Sequence, residues 1–338
     1  MRILSTRLTA ILLALFLAMP VLSPAWAADK PDTSVEGVLK ALGASPGGVG
    51  FMLLTGMFTV VKESYPRLEI TVVPGGFVGN MQRVNTGEAD LGSTTTFLAA
   101  MAKQQVEPFN KGPLNETMSL VNIQNQFFFF ALVRKDLEAE SLGDLFKKKM
   151  PIRLCTLNKG TSTELVWRGI FASQGMTWED LSSKWGGGIS FVAWADAVDL
   201  MKDGHADGIL AVGDSKMGWV MELANSRDIK VLKWDPEFMK VAADKYGLEP
   251  GEIPAGAYPG IDKPVAVPYS PNMVVVNRSV PDKMVKAILK AMYDRATEYN
   301  GFHPGLSRFK VEGMAKGMYL PLHPAAVEFY KEHGIPIE

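Results

Sequence analysis

The sequence predicts an α/β protein built of two similar lobes, each a mostly parallel sheet flanked by helices. The first observation behind this prediction is that the order strand, loop, helix, strand occurs twice along the 338 residues. The second is a Gly-x-Ala-Asp core that also occurs twice, at 87–90 and at 204–207. A small polar loop precedes each core at matched distance, because Ser45 and Ser162 each lie 44 residues before the alanine of their core.

The first lobe begins with the strand VLKALG at 38–43, which runs into a glycine-rich loop. Apolar residues in FMLLTGMFTVVKE recur at helical spacing, and LEITVVP alternates as a strand does. Gly87 is a good stop for a second helix. The predicted elements after the loop are therefore the helix 51–63, the strand 68–74, the helix 78–87 and the strand 89–96.

The same order returns in the second lobe, beginning with the strand IRLCTL and the loop NKGTST. The predicted elements there are the strand 152–157, the helix 163–176, the strand 189–194, the helix 196–204 and the strand 206–212. A stretch rich in proline and glycine follows and predicts a long loop. The chain closes with that loop at 247–264, a strand at 273–278, a helix at 279–299 with Pro281 near its start, and a helix at 323–334.

The N-terminus has the pattern of a secretory signal peptide. Arg2 and Arg7 precede an apolar run at 8–19, and the small-residue site Ala25-Trp26-Ala27 follows. The apolar run is short for a membrane-spanning helix, which needs about 20 such residues. Cleavage is expected after Ala27, which makes 1–27 the signal peptide and exports the mature chain. No later segment is predicted to span a membrane.

Composition excludes several classes of function. The 35 basic and 36 acidic residues leave a formal net charge of −1, which gives no reason to expect nucleic-acid binding. Cys155 is the only cysteine, so no intramolecular disulfide can form. The four histidines form no close metal-ligand pair, and we expect neither a metal nor a cofactor.

A binding crevice is expected where the loops and helix N-termini gather, beyond the carboxyl ends of the strands. Unpaired backbone N–H groups and the helix dipole attract anions there. Two loops facing each other could hold one small anion. The alternative is that these loops only cap their helices. The candidate ligand-binding residues are Ser45, Gly47 and Gly48 in one lobe and Thr161, Ser162 and Thr163 in the other.

Further polar residues are weaker candidates for ligand contact. Ligand contact and ordinary turn or strand-end hydrogen bonding are equally good interpretations of Asn80, Thr95 and Thr96. Gln126 lies near the expected passage between lobes and could equally be a solvated loop residue. Asp214 could meet an ammonium group or a cation, although capping of the next helix is the simpler interpretation. Surface roles are expected for Lys159 and Arg168.

Two other functions fit parts of the sequence. Residues 43–47 match the Gly-x-Ser-x-Gly elbow of serine hydrolases, with Ser45 as nucleophile and His303 or His323 downstream. That elbow normally follows several βα units, whereas here it follows the first strand of the mature chain. A ligand sensor for a membrane receptor kinase would use the same two-lobed fold.

Over nearly its whole mature length the chain resembles the TAXI family of substrate-binding proteins that serve TRAP transporters. The second-lobe loop 160–164 resembles the family's Gly-Ser-Gly-Thr-Glu, and 87–91 matches its Gly-Glu-Ala-Asp-Leu. The other matching positions are Ser45, Gly47 and Gly48 with the later aromatic Phe51, then Gly75, Gly76 and Asn80, then 253–260 with Tyr258, and the C-terminal motif 320–324.

This resemblance implies a periplasmic binding protein of the type II-like fold, without catalytic activity. It would close over a small organic solute and hand it to an ion-gradient-driven membrane carrier. Several relatives take glutamate or related carboxylates, but this chain has 95–97 as Thr-Thr-Phe where the family has Gln-Ser-Asp. That change argues against an amino-acid ligand, because an α-ammonium group needs a carboxylate or carbonyl cage.

The expected organisation is lobe I at 28–126 plus 279–338 and lobe II at 127–278. Two hinge crossings, near Phe127 and near Arg278, would join the lobes. We expect a monomer whose partners are the solute and the TRAP membrane carrier.

Overall fold

The computed structural model describes residues 31–44 and 48–337. The predicted signal peptide at 1–27 and the candidate residues Ser45 and Gly47 lie outside the described residues. The chain from Pro31 onward forms one compact unit. Within the described ranges no helix has the length and apolar character needed to cross a membrane.

Strands and helices alternate along most of the described chain. The strands are β1 Gly37–Leu42, β2 Leu68–Val73, β3 Leu91–Thr95, β4 Thr117–Asn122, β5 Phe127–Arg134, β6 Arg153–Thr156, β7 Gly188–Phe191, β8 Gly208–Gly213, β9 Ile229–Leu232, β10 Glu249–Ile253, β11 Val265–Ser270 and β12 Asn272–Asn277. The helices are α1 Val49–Ser64, α2 Phe77–Asn85, α3 Thr96–Lys103, α4 Leu142–Lys148, α5 Ser162–Ser173, α6 Trp178–Ser183, α7 Trp194–Lys202, α8 Gly218–Ser226, α9 Pro236–Tyr246, α10 Asp282–Asp294 and α11 Pro324–Glu332. Short 3-10 helices occupy Ala296–Gly301, Pro304–Arg308 and Val311–Gly313.

The strands form two sheets, which confirms the predicted two-sheet α/β fold class. The first sheet has five strands in the order β2-β1-β3-β12-β4, and the second has seven, in the order β10-β11-β5-β8-β6-β7 with β9 paired to β5. The predicted mostly parallel pairing is wrong, because parallel pairs are confined to β2-β1-β3 and β7-β6-β8. The strands β5 and β12 run antiparallel to their neighbours in the described sheets. Each enters its sheet directly from a strand of the other sheet, with no helix between the two strands.

The chain passes between the sheets at two places. It leaves the first sheet after β4 and enters the second at Phe127, where a crossing was predicted. It returns at Pro271, between β11 and β12. The crossing predicted near Arg278 is therefore misplaced, because the whole of β12 pairs with β3 and β4 of the first sheet. Movement of the two halves as hinged lobes stays a prediction.

One stretch predicted as loop contains a strand. Residues 249–253 form β10, which pairs antiparallel with β11. Pro250 and Gly251 argue against a strand, but β10 is the last strand in the order of its sheet. An edge strand tolerates proline because one side of it makes no ladder hydrogen bonds.

The repeated Gly-x-Ala-Asp core builds the same turn in both halves. Gly87 and Gly204 both have φ of +73°, a left-handed conformation that glycine adopts without strain. The Asp90 carboxylate accepts a hydrogen bond from the Lys40 N–H at 2.7 Å. The Asp207 carboxylate accepts one from the Arg153 N–H at 2.9 Å. The repeat is thus turn chemistry that fastens each helix-to-strand connection to the parallel strand beside it, β1 in one half and β6 in the other.

Candidate functional site

A cavity of about 190 Å³ lies between elements of the two sheets. Its first side is formed by the starts of α1 and α2, which belong to the half of the first sheet. Its second side is formed by the start of α5 and by the ends of β6 and β8, where Leu157 and Val212 line it. Carboxyl ends of strands therefore meet helix N-termini here, as predicted for the crevice of an α/β protein.

Helix N-termini dominate the wall of this cavity. The first turns of α1, α2 and α5 line it through Gly48–Gly50, Gly76–Gly79 and Gly160–Thr163. The wall also includes Trp194, the first residue of α7, and Met217, the N-cap of α8. Among the described residues no side chain caps α1 or α2. First-turn N–H groups have no partner inside their own helix, so these helix starts present donors and positive dipole ends to one space.

The loop before α5 supplies hydroxyl groups as well. Thr161 caps α5, because its Oγ1 accepts from the Glu164 N–H at 3.3 Å and donates to the Asn158 carbonyl at 2.8 Å. The hydroxyls of Ser162 and Thr163 make no hydrogen bond to the described chain, and both residues line the cavity. These two hydroxyls are therefore free to bind a polar group.

A buried carboxylate holds the same loop in place. Glu164 is 1% exposed, and it accepts hydrogen bonds from the Gly160 N–H at 3.2 Å and from the Trp178 indole at 2.9 Å. The Arg168 Nε–H also donates a hydrogen bond to the Glu164 carboxylate, at 3.0 Å. Arg168 is thus the partner of a structural carboxylate. Lys159 lies 5.0 Å from the centroid of the Phe191 ring, outside the cavity.

The remaining wall is apolar and aromatic. Phe77 and Phe127, one from each half, meet edge to face with centroids 5.7 Å apart. The Trp194 ring stacks on Trp219 with centroids 5.0 Å apart and planes at 8°. The described lining residues include no charged side chain. The arrangement suits a ligand that has a small anionic head for the helix starts and an apolar body for the aromatic wall.

Asn80 positions the walls and does not line the cavity. Its side-chain amide donates to the carbonyls of Leu42, Gly43 and Ser93 at 3.2, 2.7 and 2.8 Å, and its Oδ1 accepts from the Gly76 N–H at 3.0 Å. It is completely buried. This one side chain ties the end of β1 and the middle of β3 to the start of α2.

Tyr258 has a similar positioning role in the other half. Its hydroxyl donates to the Asp214 carbonyl at 2.9 Å and accepts from the Met217 N–H at 2.9 Å. Tyr258 thereby fixes the turn that carries Met217 into the cavity wall. Asp214 does not cap α8, because the cap residue is Met217 and the Asp214 Oδ1 instead accepts from the Ser215 N–H at 2.6 Å.

The Asp214 carboxylate is 6% exposed, and its Oδ2 is buried without a hydrogen-bond partner in the described chain. Burial raises its pKa above the ordinary 3.8, opposed by the Ser215 hydrogen bonds and by the charges of His303 and Arg308. A raised folded-state pKa means that the folded protein binds the proton more tightly. This group therefore lowers stability as the pH rises from about 4 through the folded-state pKa.

We expect Asp214→Asn to stabilise the fold relative to the parent, increasingly so between pH 4 and pH 7. Each unit of pKa elevation corresponds to about 1.4 kcal/mol. Urea unfolding at several pH values measures this difference. His303 contributes the opposite slope, because burial lowers its pKa and the Asp214 charge only partly offsets this; removing that charge lowers the pKa of His303 further and adds to the expected gain with rising pH. A difference that does not change with pH, or that equals the one given by the exposed control Asp262→Asn, would contradict the assignment.

Four other candidates lie away from this cavity. Thr95 is completely buried at the end of β3, and the Thr96 hydroxyl bonds the Ser270 hydroxyl at 2.8 Å. Thr96 and Gln126 line a second cavity. The Phe51 ring packs against Gly43. Of the residues predicted from the sequence, the structure thus brings together Gly48, Thr161, Ser162 and Thr163 at the first cavity.

The histidines of the hydrolase alternative have structural partners. His303 Nδ1 accepts from the Gly305 N–H at 2.9 Å, and His323 Nδ1 accepts from the Ala325 N–H at 3.3 Å. Each ring caps a short helix. Ser45 lies outside the described residues. In the ranges 31–44 and 48–337 no group of three or more His, Cys, Asp or Glu side chains could hold a metal ion.

The sequence did not identify the aromatic part of the wall. Phe77 and Trp194 are each the first residue of a helix, and Met217 is an N-cap. The spacing of apolar residues does not predict burial at such positions, because the regular pattern of buried residues along a helix face is not established at its first residue.

Comparison with solved structures shows the fold of this chain. A protein from Bordetella bronchiseptica RB50 superimposes with a TM-score of 0.51 at 13% identity, covering 88% of this chain and 98% of the other. The alkanesulfonate-binding protein SsuA from Xanthomonas axonopodis pv. citri, bound to MOPS, gives a TM-score of 0.45 at 14% identity, with 88% and 85% covered. The periplasmic aliphatic sulphonate binding protein SsuA from Escherichia coli gives a TM-score of 0.45 at 14% identity, covering 88% of this chain and 79% of the other.

The likeness to the Bordetella protein shows the fold alone, which has two sheets flanked by helices. Membership of a family rests on a separate match, in which the model of the NMT1-like family covers residues 42–334. That range includes both sheets from the end of β1 onward, both crossings and every described residue of the cavity wall. The chain belongs to the NMT1-like family.

Proposed function

We propose that this protein is an extracytoplasmic solute-binding receptor of the TAXI type, which closes over a small organic carboxylate and delivers it to an ion-gradient-driven TRAP carrier. One observation carries the proposal. Helix N-termini from both halves, those of α1, α2 and α5 foremost, converge on one cavity. The proposal assigns the protein no catalytic step and no cofactor.

The anionic character of the ligand follows from the groups at the wall. A carboxylate placed among several helix starts accepts hydrogen bonds from N–H groups that have no other partner. Each helix dipole adds about 0.3–1 kcal/mol where it is solvent-exposed and more where it is desolvated. The free hydroxyls of Ser162 and Thr163 supply two further donors.

The rest of the ligand is inferred from the absence of carboxylates and the presence of aromatic residues in the described wall. No described lining residue carries a carboxylate, so nothing there would compensate the charge of an α-ammonium group. Phe77, Phe127 and Trp194 instead offer apolar surface. We therefore favour carboxylates without an amino group, such as keto acids or branched and aromatic acids, over amino acids. The cavity of about 190 Å³ limits the ligand to a small molecule.

Closure follows from where the wall residues lie. A ligand that contacts the starts of α1 and α2 in one half and of α5 in the other binds a closed arrangement better than an open one. Such a difference in affinity shifts the population toward closure. The membrane carrier would then recognise the closed shape, and the signal peptide predicted at 1–27 would place the receptor outside the cytoplasm.

A thermal-shift screen of residues 28–338 tests the proposal. Keto acids, hydroxy acids and aromatic acids should raise the melting temperature, whereas the matched amides and amino acids should not. A ligand at about 100 times its Kd adds roughly 2.7 kcal/mol of stability. If neutral or cationic compounds alone raise the melting temperature, the carboxylate assignment is wrong.

Removal of the two free hydroxyls should weaken binding of the best carboxylate from that screen. Ser162→Ala and Thr163→Val each delete one charge-assisted hydrogen bond, which is worth about 1.5–3 kcal/mol, so we expect Kd to rise by about 10-fold or more for each. Titration calorimetry measures this change.

The control for this pair is Thr161→Ala. Its hydroxyl already caps α5, so the substitution should cost about 1 kcal/mol of stability in denaturant unfolding. Unchanged affinity in both Ser162→Ala and Thr163→Val would show that these hydroxyls do not contact the ligand.

A further inference from the structure

A second cavity, of about 640 Å³, lies in the described part of the chain. It shares no lining residue with the first. Gln126 lines the second cavity, and the next residue, Phe127, lines the first. Because successive side chains of an extended segment point to opposite faces, the segment that joins the two sheets separates the two cavities.

Both crossings between the sheets contribute to the second cavity. Gln124 and Gln126 come from the first crossing, and Pro271 forms the second. The start and end of α3 contribute Thr96 and Lys103. The C-terminal part of the chain completes the wall with Arg308 and Lys316–Tyr319, and the second sheet adds Glu249 and Tyr269.

The charge of this wall is strongly unbalanced. Lys103, Arg308 and Lys316 line it, and none of the three forms an ion pair with a carboxylate in the ranges 31–44 and 48–337. Glu249 is the one acidic residue among the described lining residues, and its carboxylate accepts a hydrogen bond from the Tyr269 hydroxyl at 2.6 Å. Three cations and one carboxylate leave two positive charges uncompensated within the wall itself, and Arg308 also interacts electrostatically with the buried Asp214 carboxylate outside the wall.

Much of the wall is held rigidly by side-chain hydrogen bonds. The Gln124 amide donates to the Lys310 carbonyl at 2.7 Å and accepts from the Lys310 N–H at 3.3 Å. The Asn122 amide donates to the Lys316 carbonyl at 2.8 Å. These bonds fasten the C-terminal segment to the first crossing. A ligand therefore meets a backbone that is already ordered, which lowers the entropy cost of binding.

We propose that the second cavity is a binding site for a small dianion, such as a dicarboxylate or an inorganic dianion. A dianion would match the two uncompensated positive charges. Lys103, Arg308 and Lys316 would supply charge-assisted hydrogen bonds, with Arg308 able to bind two oxygens at once. The occupied site would hold both crossings and the C-terminal segment together. This inference does not depend on the function proposed for the first cavity.

Calorimetric titration with succinate and with sulfate, at matched ionic strength in chloride, tests the site and distinguishes an organic from an inorganic dianion. Acetate is the monoanion control. The titrations use the mature chain and also the variant Gly79→Trp, in which the first cavity is blocked. We expect at least one dianion to bind in both proteins, with a Kd at least 10-fold lower than that of acetate.

Charge removal at the site should abolish this preference. The variant K103Q/R308Q/K316Q should raise the Kd of the dianion at least 10-fold. The matched variant K62Q/K283Q/K331Q removes three exposed cations elsewhere and should leave it unchanged. If the triple variant fails to fold, K103Q alone, at an exposed position, should raise the Kd several-fold.

Three outcomes would overturn the proposal. Equal weakening in the two triple variants would mean that net charge alone attracts the anion. Dianion binding that disappears in Gly79→Trp would place it in the first cavity. Absence of any preference for dianions over chloride and acetate would mean that the second cavity is only solvated space.

Discussion

Replacing Gly79 by Trp should abolish carboxylate binding, with a loss of affinity of at least 100-fold and little loss of stability. Gly79 lies in the first turn of α2 and lines the first cavity. A Cβ added there meets no atom within 4 Å, so we expect a larger side chain to be accommodated with little displacement of the fold. An indole would occupy much of a cavity of about 190 Å³. Calorimetry with the best carboxylate measures the loss.

Gly79→Ala is the matched control for this substitution. It should bind normally, and it should gain up to about 1 kcal/mol of stability, because alanine favours a helix more than glycine does. Gly160 is a poorer position for this experiment, since its φ of +85° would strain any other residue. Full affinity in a correctly folded Gly79→Trp protein would show that the ligand binds elsewhere.

Replacing Asn80 by Leu should cost about 4 kcal/mol of unfolding free energy, the largest stability effect expected from a single substitution in the half of the first sheet. The side chains have similar size, but leucine removes the two N–H donors that three carbonyls share and leaves the Gly76 N–H without its acceptor. Each unsatisfied buried group costs about 1–3 kcal/mol. Urea unfolding measures the change, and ligand affinity should fall as well because the start of α2 loses its anchor.

Asn85→Leu on the same helix is the comparison. The Asn85 carboxamide makes one hydrogen bond to the described chain, from the Glu116 N–H at 2.9 Å, and the residue is only half-buried. We expect it to cost about 1 kcal/mol or less. Equal costs at the two positions would show that the Asn80 network adds nothing to the stability of the fold.

Much of the fold could be predicted because local sequence patterns indicate its strands and helices. The strands β1, β2 and β3 and the helices α1 and α2 follow from alternation, helical spacing and the glycine stop at Gly87. Strand direction has no such signal, since alternation reads the same for parallel and antiparallel pairs. The reversal of β5 and β12 depends on their short connections from the other sheet, which only the assembled topology reveals.

The residues predicted from backbone chemistry include four that line the first cavity, whereas residues whose position depends on shape have no signal in the sequence. The loop 160–163 was identified because small polar residues precede a helix. Thr95 and Thr96 were expected at the same crevice, but Thr96 and Ser270 bond each other at the second crossing, behind Phe127. Phe77 and Trp194 form the wall through tertiary contacts, for which single-sequence patterns hold no information.

The two aspartates Asp90 and Asp207 lie at the entry to β3 and β8, whereas the first cavity lies near the exit of β8 and of β6. In the second sheet the carboxylate anchor and the cavity therefore lie at opposite ends of the strands. Relatives could therefore have other aromatic residues in the wall of the first cavity while they retain both carboxylate anchors. A change in the ligand that such relatives bind would then cost little stability.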